Sequence, residues 1–216
     1  MTTAIFDLDN TLLGDDSDYL WGHYLVTIGV LDEAYDLQNQ RYLEAYRNGT
    51  LDVDEFLQFQ LAPLARHAPG QLCQWRAAFL AECIRPLLLP KAMTLVEAHR
   101  VMGHNLLIAT ATNSFITRPI VEYFGIDALI ATEPEMLNGR YTGRVDGIPC
   151  MGEGKRRKVE AWLAARDLDP GACTFYSDSR NDMPLMKVVG RPVATDPDEM
   201  LRRHAWQHGW RIVSLR

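Results

Sequence analysis

From residue 90 to the C terminus, short apolar runs alternate with longer stretches whose apolar residues recur at helical spacing. The short runs predict strands at 105–110, 128–132, 174–177, 192–194 and 211–213. The longer stretches predict helices near 91–102, 116–124 and 155–166, and another after Asp182. Strands that alternate with helices favour an α/β fold, with a largely parallel sheet and helices on both faces.

The segment 16–86 has a different pattern, because its apolar residues keep helical rather than strand spacing. Leu20, Tyr24 and Ile28 form one such stripe, as expected of an amphipathic helix. A capped helix start is predicted at Asp52, followed by further apolar residues at helical intervals. The segment therefore predicts a helical bundle inserted directly after a first short strand.

This organisation divides the chain into a core and an insertion. We place the inserted bundle at 15–87 and the core at 1–14 and 88–216. Within the core, the Asn138-Gly139 pair stands between two short extended segments. Such a pair is a strong hairpin signal, so a small β-hairpin flap is predicted there.

Composition and charge narrow the functional classes. The chain has 216 residues, with 47% apolar and 23% charged residues, which is ordinary for a folded protein. Its net charge is −6, which disfavours nucleic acid and anionic membranes as partners, because both require a cationic face. The sequence shows neither a signal-peptide pattern nor a long apolar run. A cytoplasmic location is expected, and the oligomeric state is left open.

Two acidic residues follow the first apolar strand. Asp7 and Asp9 stand one residue apart where the strand stops, and the carboxyl ends of parallel strands form the ligand crevice of such sheets. One carboxylate there can attack phosphorus while the other transfers protons. The alternative is a turn or a calcium loop, but the glycine and distal glutamate of a calcium loop are missing.

Two further motifs could bind phosphate oxygens. An apolar strand ends in Thr110 and Ala111, where a hydroxyl and backbone N–H groups can hold an anion; taken by itself, this motif is better explained by a helix cap. Lys155 opens a helix after a glycine-rich turn and could neutralise phosphate beside a nucleophile. Lys158 is its rival for that role, and otherwise belongs to a solvated helix face.

A fourth motif ends another apolar strand in acids. Asp178 and Asp182 frame the polar segment that contains Asn181. Mg²⁺ prefers hard oxygen ligands and usually takes one or two carboxylates together with phosphate and water. Asp178 with Asp7 fits that requirement, whereas Asp182 is expected to orient its neighbours. The alternative is a polar turn whose acids cap the next helix.

Taken together, the four motifs resemble those of the haloacid dehalogenase superfamily of phosphohydrolases. The patterns D-x-D-x-T, strand then Thr, Lys, and D-x-x-x-D occur in the family's order over residues 5–182. The separation of Lys155 from Asp178 resembles the phosphoserine-phosphatase-like branch, subclass IB, and favours Lys155 over Lys158. The resemblance implies a Rossmann-like core, a bound Mg²⁺ and an all-helical cap, which corresponds to the inserted bundle.

The same resemblance implies roles for individual residues. Asp7 would be the nucleophile and Asp9 the acid and base. The remaining roles are phosphate binding by Thr110, Ala111, Lys155 and Asn181, metal binding by Asp7, Asp178 and the backbone carbonyl of Asp9, and support by Asp182. An acid at Asp9 is typical of the family's phosphatases and phosphomutases. A Mg²⁺-dependent phosphatase acting on a small phosphate monoester is the leading hypothesis; a phosphomutase and a catalytically inactive binding module are the alternatives.

The substrate is suggested only by the inserted bundle. The arginine that holds the serine carboxylate in phosphoserine phosphatases has no clear counterpart after Phe56. Instead, Asp15, Asp16 and Asp18 stand at the start of the bundle, where they either cap a helix or favour a substrate with an amine. Histidinol phosphate and phosphoserine are therefore the two candidate substrates, and the acids favour the first.

Aromatic and histidine residues give weaker signals. Trp21, Tyr24, Tyr42 and Tyr46 could line a substrate pocket, but aromatic residues at helical spacing more often pack a bundle core. His204 and His208 lie four positions apart, as a helical metal pair would, yet no third ligand is near in sequence. We interpret these two histidines as residues of a surface helix.

Overall fold

The computed structural model describes residues 2–216, and over that range its strands form one sheet. The strands are β1 (Thr3–Phe6), β2 (Asn105–Asn113), β3 (Ala128–Leu137), β4 (Arg140–Asp146), β5 (Cys173–Ser177), β6 (Arg191–Thr195) and β7 (Arg211–Val213). Their order is β4-β3-β2-β1-β5-β6-β7. All neighbours pair in parallel except β3 and β4, which confirms the predicted α/β class.

Helices cover both faces of the sheet and fill the insertion after β1. Those of the insertion are α1 (Ser17–Thr27), α2 (Glu33–Asn48), α3 (Val53–Arg66) and α4 (Pro69–Phe79), followed by a π-helix (Leu80–Ile84) and a 3₁₀ turn (Arg85–Leu87). Those of the core are α5 (Pro90–Val101), α6 (Ser114–Glu122), α7 (Glu153–Ala164), α8 (Met183–Met186) and α9 (Glu199–His208). The described part of the chain has no helix long and apolar enough to span a membrane.

The side chains of β1 explain why this strand lies at the centre. All four residues of the strand are buried, as expected for a parallel strand covered on both faces. Because side chains alternate, Ala4 and Phe6 join one apolar cluster and Ile5 joins the other. The cluster of Phe6 continues through Trp21 and Phe79 of the insertion, so one apolar core stabilises both the sheet and the helices above it.

The chain leaves the core and returns to it at one place. Leu13 and Leu88 form an isolated antiparallel bridge, and the Gly14 N–H donates to the Leu87 carbonyl at 2.8 Å. These contacts lie at the predicted bounds of the insertion. Residues 15–87 thus leave the sheet and return to it at one place. The division into domains at these positions stays a prediction.

The predicted hairpin is formed by β3 and β4. Leu137 pairs with Arg140 around the Asn138-Gly139 turn, and both turn residues have positive φ, as a type I′ turn requires. The hairpin does not project alone, because β4 packs on α3. A Cβ added at Gly143 would lie 3.3 Å from the Ala65 Cβ.

Candidate active site

The predicted site residues meet where the strand order reverses direction. Asp7 follows β1, Asp178 follows β5, and Thr110 lies near the end of β2. These strands are adjacent, with β1 between β2 and β5. In an open α/β sheet, ligands bind at such a switch point, outside the carboxyl ends of the strands.

A cavity lies at this switch point, between the sheet and the inserted helices. It holds about 590 Å³ of space, a value that includes the solvent-filled space at its open mouth. The predicted residues that line it are Asp7, Asp9, Asp16, Asp18, Ala111 and Asp178. Thr110, Lys155, Asn181, Asp182 and Asp15 lie outside its lining.

Lys155 lies behind Asp7 and joins it to Asp182. Its ammonium donates to Asp7 Oδ1 at 2.9 Å and lies 2.7 Å from Asp182 Oδ1. All three residues are buried. Burial alone would lower the pKa of Lys155, but Asp182 and Asp7 outweigh it and hold that pKa well above its usual range. Lys155 is therefore a fixed cation against the back of Asp7.

Burial raises the pKa of Asp7 to about 7 despite this ion pair. Lys155 lowers this pKa, whereas the neighbouring carboxylates Asp182 and Asp9 raise it. The Asp7 N–H also donates to the Tyr176 carbonyl at 2.9 Å, which continues the pairing of β1 with β5. The backbone of Asp7 is thus fixed by the sheet, and Lys155 only partly offsets the cost of burying the negative charge of its carboxylate.

Asp9 is held by one donor from the insertion and one from the core. The Ser17 N–H donates to Asp9 Oδ1 at 2.7 Å, and the Thr112 hydroxyl donates to Asp9 Oδ2 at 2.8 Å. Desolvation, with repulsion from Asp16, raises the pKa of Asp9 to about 6, although both hydrogen bonds oppose the shift. A carboxyl group with a pKa near the working pH is suited to general acid and base catalysis.

Asp178, the predicted metal ligand, is held by Thr11 and lies near other carboxylates. The Thr11 hydroxyl donates to Asp178 Oδ1 at 3.2 Å and accepts from the Asp178 N–H at 3.1 Å. Burial, and then repulsion from Asp7 and Asp182, raise the pKa of Asp178 well above its usual range. Asp7 and Asp178 line one cavity, and carboxylates are among the hard oxygen ligands that a divalent cation such as Mg²⁺ prefers.

Within residues 2–216, no group of three or more His, Cys, Asp or Glu side chains has the arrangement of a metal site. The predicted ligand set does not require one. It consists of the carboxylates of Asp7 and Asp178 and the backbone carbonyl of Asp9. Mg²⁺ commonly binds one or two carboxylates and keeps several waters, so the residues present fit this ion.

The two residues of the second motif, Thr110 and Ala111, have different surroundings. Thr110 is buried, and its hydroxyl accepts from the Thr112 N–H at 3.2 Å, whereas Ala111 reaches the cavity. Sequence reasoning missed Thr112, which lines the cavity and contacts Asp9. It also assigned no role to Thr11, although this threonine belongs to the D-x-D-x-T motif and contacts Asp178.

Ser177 ends β5 and Ser179 lies in the loop that follows, and their side chains form hydrogen bonds within this segment. The Ser177 hydroxyl donates to Asp182 Oδ2 at 2.7 Å and accepts from the Ser179 N–H at 3.2 Å. The Ser179 hydroxyl accepts from the Asn181 N–H at 3.2 Å. These bonds hold Asp182 against Lys155. Asn181 itself turns towards the insertion, where its side chain donates to the Tyr46 carbonyl at 3.4 Å.

The three acids at the start of the insertion have different surroundings. Asp15 accepts from the Asp16 N–H at 2.9 Å. Asp16 is the N-cap of α1, and one of its oxygens accepts from two backbone N–H groups. Asp18 is buried in the cavity wall, and Asn113 donates to it at 3.4 Å. Helix capping therefore applies to Asp16 and does not explain Asp18.

The aromatic residues divide between core and cavity. Trp21 and Tyr24 are buried in the apolar core, with Trp21 edge-on to Phe79 at 5.3 Å. Tyr42 and Tyr46 instead line the cavity. Tyr42 also packs on Phe59 of α3, with ring centroids 5.1 Å apart, so the bundle-core interpretation holds for Tyr42 as well, whereas Tyr46 faces the cavity and the loop after β5.

Two of the remaining interpretations concern basic residues. Lys158 is not simply solvated as predicted, since it is partly buried and donates to the Ala131 carbonyl at 2.7 Å. His204 and His208 lie on α9 with their rings stacked at 3.9 Å. His208 is exposed, which confirms the assignment of this pair to a surface helix.

Comparison with known proteins identifies related sequences. A model of the haloacid dehalogenase-like hydrolase family matches residues 4–187. Histidinol-phosphatase from Neisseria meningitidis serogroup C (strain 8013) is 42% identical over 218 residues, which cover 99% of this chain and 98% of the relative. A phosphoserine phosphatase from Mycobacterium tuberculosis (strain H37Rv) is 29% identical over 219 residues, which cover 99% of this chain and 70% of the relative.

Solved structures give the same fold. The crystal structure of a protein with unknown function from Bordetella pertussis Tohama I has a TM-score of 0.92 and 42% identity, covering 99% of this chain and 98% of that one. A phosphoserine phosphatase structure has a TM-score of 0.74 at 15% identity, covering 100% of this chain and 93% of that one. The second likeness shows the fold alone.

Proposed function

The chain belongs to the haloacid dehalogenase-like hydrolase family and is a phosphatase, and we propose that it hydrolyses histidinol phosphate through a phosphorylated Asp7. The proposal combines the geometry around Asp7 and Asp9 with the charge of the cavity. Phosphatase relatives favour this activity over the phosphomutase and over an inactive binding module.

Asp7 is the proposed nucleophile. Its carboxylate attacks phosphorus, a new bond forms between phosphorus and the Asp7 oxygen, and the bond from phosphorus to the ester oxygen breaks. Lys155 contacts Asp7 at 2.9 Å and offsets negative charge as the phosphate approaches the carboxylate. In this proposal Asp182 fixes the position of Lys155, while Thr110, Ala111 and Asn181 shape the phosphate-binding loops.

Asp9 is the proposed acid and base. In the first step it donates a proton to the departing ester oxygen, which leaves as an alcohol. In the second step it takes a proton from water, whose oxygen attacks phosphorus and releases Asp7 and inorganic phosphate. The pKa of about 6 lets both protonation states occur near neutral pH, and the bonds from Ser17 and Thr112 fix the carboxyl orientation.

Mg²⁺ is the proposed cofactor, held by Asp7, Asp178 and the backbone carbonyl of Asp9. When bound, it offsets negative charge on the transferring phosphoryl group. The chain's own part is to hold Asp178 through Thr11 and to keep Asp7 and Asp178 within one cavity. The helices at 15–87 act as the cap that excludes water from the first step.

The charge of the cavity lining is the observation that favours histidinol phosphate. Its described lining includes five aspartates and no lysine, arginine or histidine. Phosphoserine carries a carboxylate, which such a lining would repel, whereas histidinol phosphate carries an amine and no carboxylate. The N. meningitidis relative has the same activity by name. A small-molecule partner and a cytoplasmic location remain part of this proposal, in keeping with the net charge of −6.

The experiment compares histidinol phosphate and phosphoserine as substrates of the purified protein with Mg²⁺, by release of inorganic phosphate. We expect a higher kcat/KM for histidinol phosphate, and loss of turnover when EDTA removes the metal. Asp7→Asn should lower kcat on the order of 10³-fold or more while the circular dichroism spectrum is unchanged. Equal inactivity on both substrates would discard the substrate proposal, and an active Asp7→Asn would remove Asp7 from the mechanism.

A further inference from the structure

Among the three acids at the start of the insertion, Asp18 is the one whose carboxylate accepts no backbone N–H group. Asp15 and Asp16 accept backbone N–H groups that begin α1. Asp18 is 8% exposed, and among residues 2–216 only the Asn113 amide, at 3.4 Å, donates to its carboxylate. Its second oxygen has no donor in the described chain, and no Lys, Arg or His is paired with it.

An unpaired buried carboxylate is costly unless a ligand compensates it. Burial, with repulsion from Asp16 and Asp9, raises the pKa of Asp18 well above its usual range. The side chain nevertheless lines the cavity. A cation entering that cavity would remove the cost.

Asn113 fixes Asp18 in place. Asn113 is the N-cap of α6, and its Oδ1 accepts from the Ile116 N–H at 3.3 Å. With the oxygen used by the helix, the amide nitrogen is directed to Asp18 Oδ1. Asn113 is 4% exposed. The carboxylate is therefore held by a buried element of the core, not by solvent.

Asp18 is also close along the chain to the groups that hold the proposed acid, Asp9. Ser17 and Thr112 donate to Asp9, and the next residue of each segment, Asp18 and Asn113, forms the neighbouring contact. The two segments thus present Asp9 and Asp18 in succession along one wall of the cavity.

We propose that Asp18 binds the ammonium group of the substrate and selects phosphate esters of 2-amino alcohols. This inference rests on the proposed phosphatase function and narrows its substrate class. In histidinol phosphate, two carbon atoms separate the ester oxygen from the ammonium nitrogen. A substrate whose ester oxygen meets Asp9 would therefore bring its ammonium to the adjacent Asp18.

The experiment measures kcat/KM for two pairs of esters that differ only in the amine. One pair is histidinol phosphate and its deamino analogue, and the other is 2-aminoethyl phosphate and ethyl phosphate. Wild type is compared with Asp18→Asn. Asp54→Asn is the matched control, because Asp54 stands at the same position after the N-cap of α3 as Asp18 does in α1, but is exposed outside the cavity.

We expect wild type and Asp54→Asn to prefer the amine in at least one pair. Asp18→Asn should lower that preference about 10- to 100-fold, as for loss of a hydrogen bond to a charged group. An unchanged preference in Asp18→Asn, or no preference in wild type in either pair, would overturn the inference.

Failure of the histidinol phosphate proposal is distinguishable from failure of this inference. If wild type prefers 2-aminoethyl phosphate and ignores histidinol phosphate, the named substrate is wrong and Asp18 remains the amine site. A measurement on wild type alone gives a second test, independent of any variant's folding. Histidinol should inhibit hydrolysis of an aryl phosphate competitively and more strongly than its deamino analogue, and equal inhibition would contradict the inference.

Discussion

Buried charges in this protein are compensated unequally. Lys155 lies between Asp7 and Asp182, each within 2.9 Å, so these carboxylates have a permanent cation. Asp178 and Asp18 receive only neutral donors, from Thr11 and Asn113. A fixed cation therefore accompanies Asp7 and Asp182, although Asp7 is also a proposed metal ligand, whereas Asp178 and Asp18 have no cationic partner among the described residues.

Replacing Lys155 tests whether its cation stabilises the fold through Asp7 and Asp182. Lys155→Met leaves Asp7 and Asp182 buried without a cation, and breaking a buried pair in this way costs about 3–5 kcal/mol. Urea unfolding at neutral pH measures the loss. Lys158→Met on the same helix removes one hydrogen bond to a carbonyl and should cost about 1 kcal/mol. Equal losses would contradict the role of Lys155.

Asp18→Asn tests whether a buried carboxylate without a cationic partner destabilises the fold, through the pH dependence of the free energy of unfolding. The folded-state pKa of Asp18 is raised above its ordinary value of 3.8, so the folded chain binds this proton more tightly than the unfolded chain. Relative to an uncharged side chain, Asp18 costs nothing below that ordinary value and destabilises increasingly as pH rises through its folded pKa.

Asp18→Asn should therefore have a higher Tm than wild type at pH 8, with the difference shrinking towards pH 4. Thermal unfolding by circular dichroism at several pH values measures the difference. Asp54→Asn should show no such widening, because Asp54 is exposed. A Tm difference that is constant with pH would show that the charge of Asp18 is not the cause.

Between elements, the end of α2 meets the loop that follows β5. The Arg180 guanidinium donates to the Asn48 carbonyl at 2.8 Å, and the Tyr46 hydroxyl lies 3.4 Å from Ser179 Oγ. This loop also contains Asp178 and Asp182. The position of α2 is thus linked to the loop that holds the proposed metal ligand.

Gly49 makes this contact possible. It ends α2 with φ 69°, and a Cβ there would lie 1.4 Å from Arg180 Nη2. Gly49→Ala should displace Arg180, raise KM and lower stability by more than the roughly 1–2 kcal/mol of an alanine in a left-handed position. Gly209→Ala is the control, because Gly209 ends α9 with φ 66° and nothing lies within 4 Å of its added Cβ.

Steady-state kinetics and urea unfolding of both glycine variants check this prediction. Adding Arg180→Ala to Gly49→Ala should restore part of the lost stability, because the collision is removed. Equal changes of KM and of stability in Gly49→Ala and Gly209→Ala would show that the Arg180 contact contributes to neither.

At the scale of the whole molecule, one apolar cluster runs from the sheet into the inserted helices, so ligand binding at the site should affect the stability of the whole fold.

Mg²⁺ that binds only the folded state should raise Tm. At a concentration of 100 times its Kd, it should add about 2.7 kcal/mol to the free energy of unfolding. Asp178→Asn should abolish this increase. Asp167→Asn, at an exposed position remote in sequence from the site, should retain it.

Differential scanning fluorimetry with Mg²⁺ and then EDTA measures these shifts. EDTA should return wild type to its metal-free Tm. A Mg²⁺-dependent increase that survives Asp178→Asn would exclude Asp178 as a ligand of the ion.

The sequence by itself determined the features that depend on neighbouring residues. Alternation of strands and helices, the Asn138-Gly139 hairpin and the acids at the ends of β1 and β5 follow from local periodicity and turn chemistry. Because parallel strands end at one edge of a sheet, these local signals also brought Asp7 and Asp178 to a common site.

Only the tertiary structure decided which side chains of the insertion face the cavity. Asp16 and Asp18 are alike in sequence and both line the cavity, yet Asp16 caps α1 whereas Asp18 contacts Asn113 of the core. Thr112 reaches Asp9 across more than a hundred positions of sequence. Helical spacing fixes which residues share a face, but the element packed against that face is set by contacts distant in sequence, which no local pattern contains.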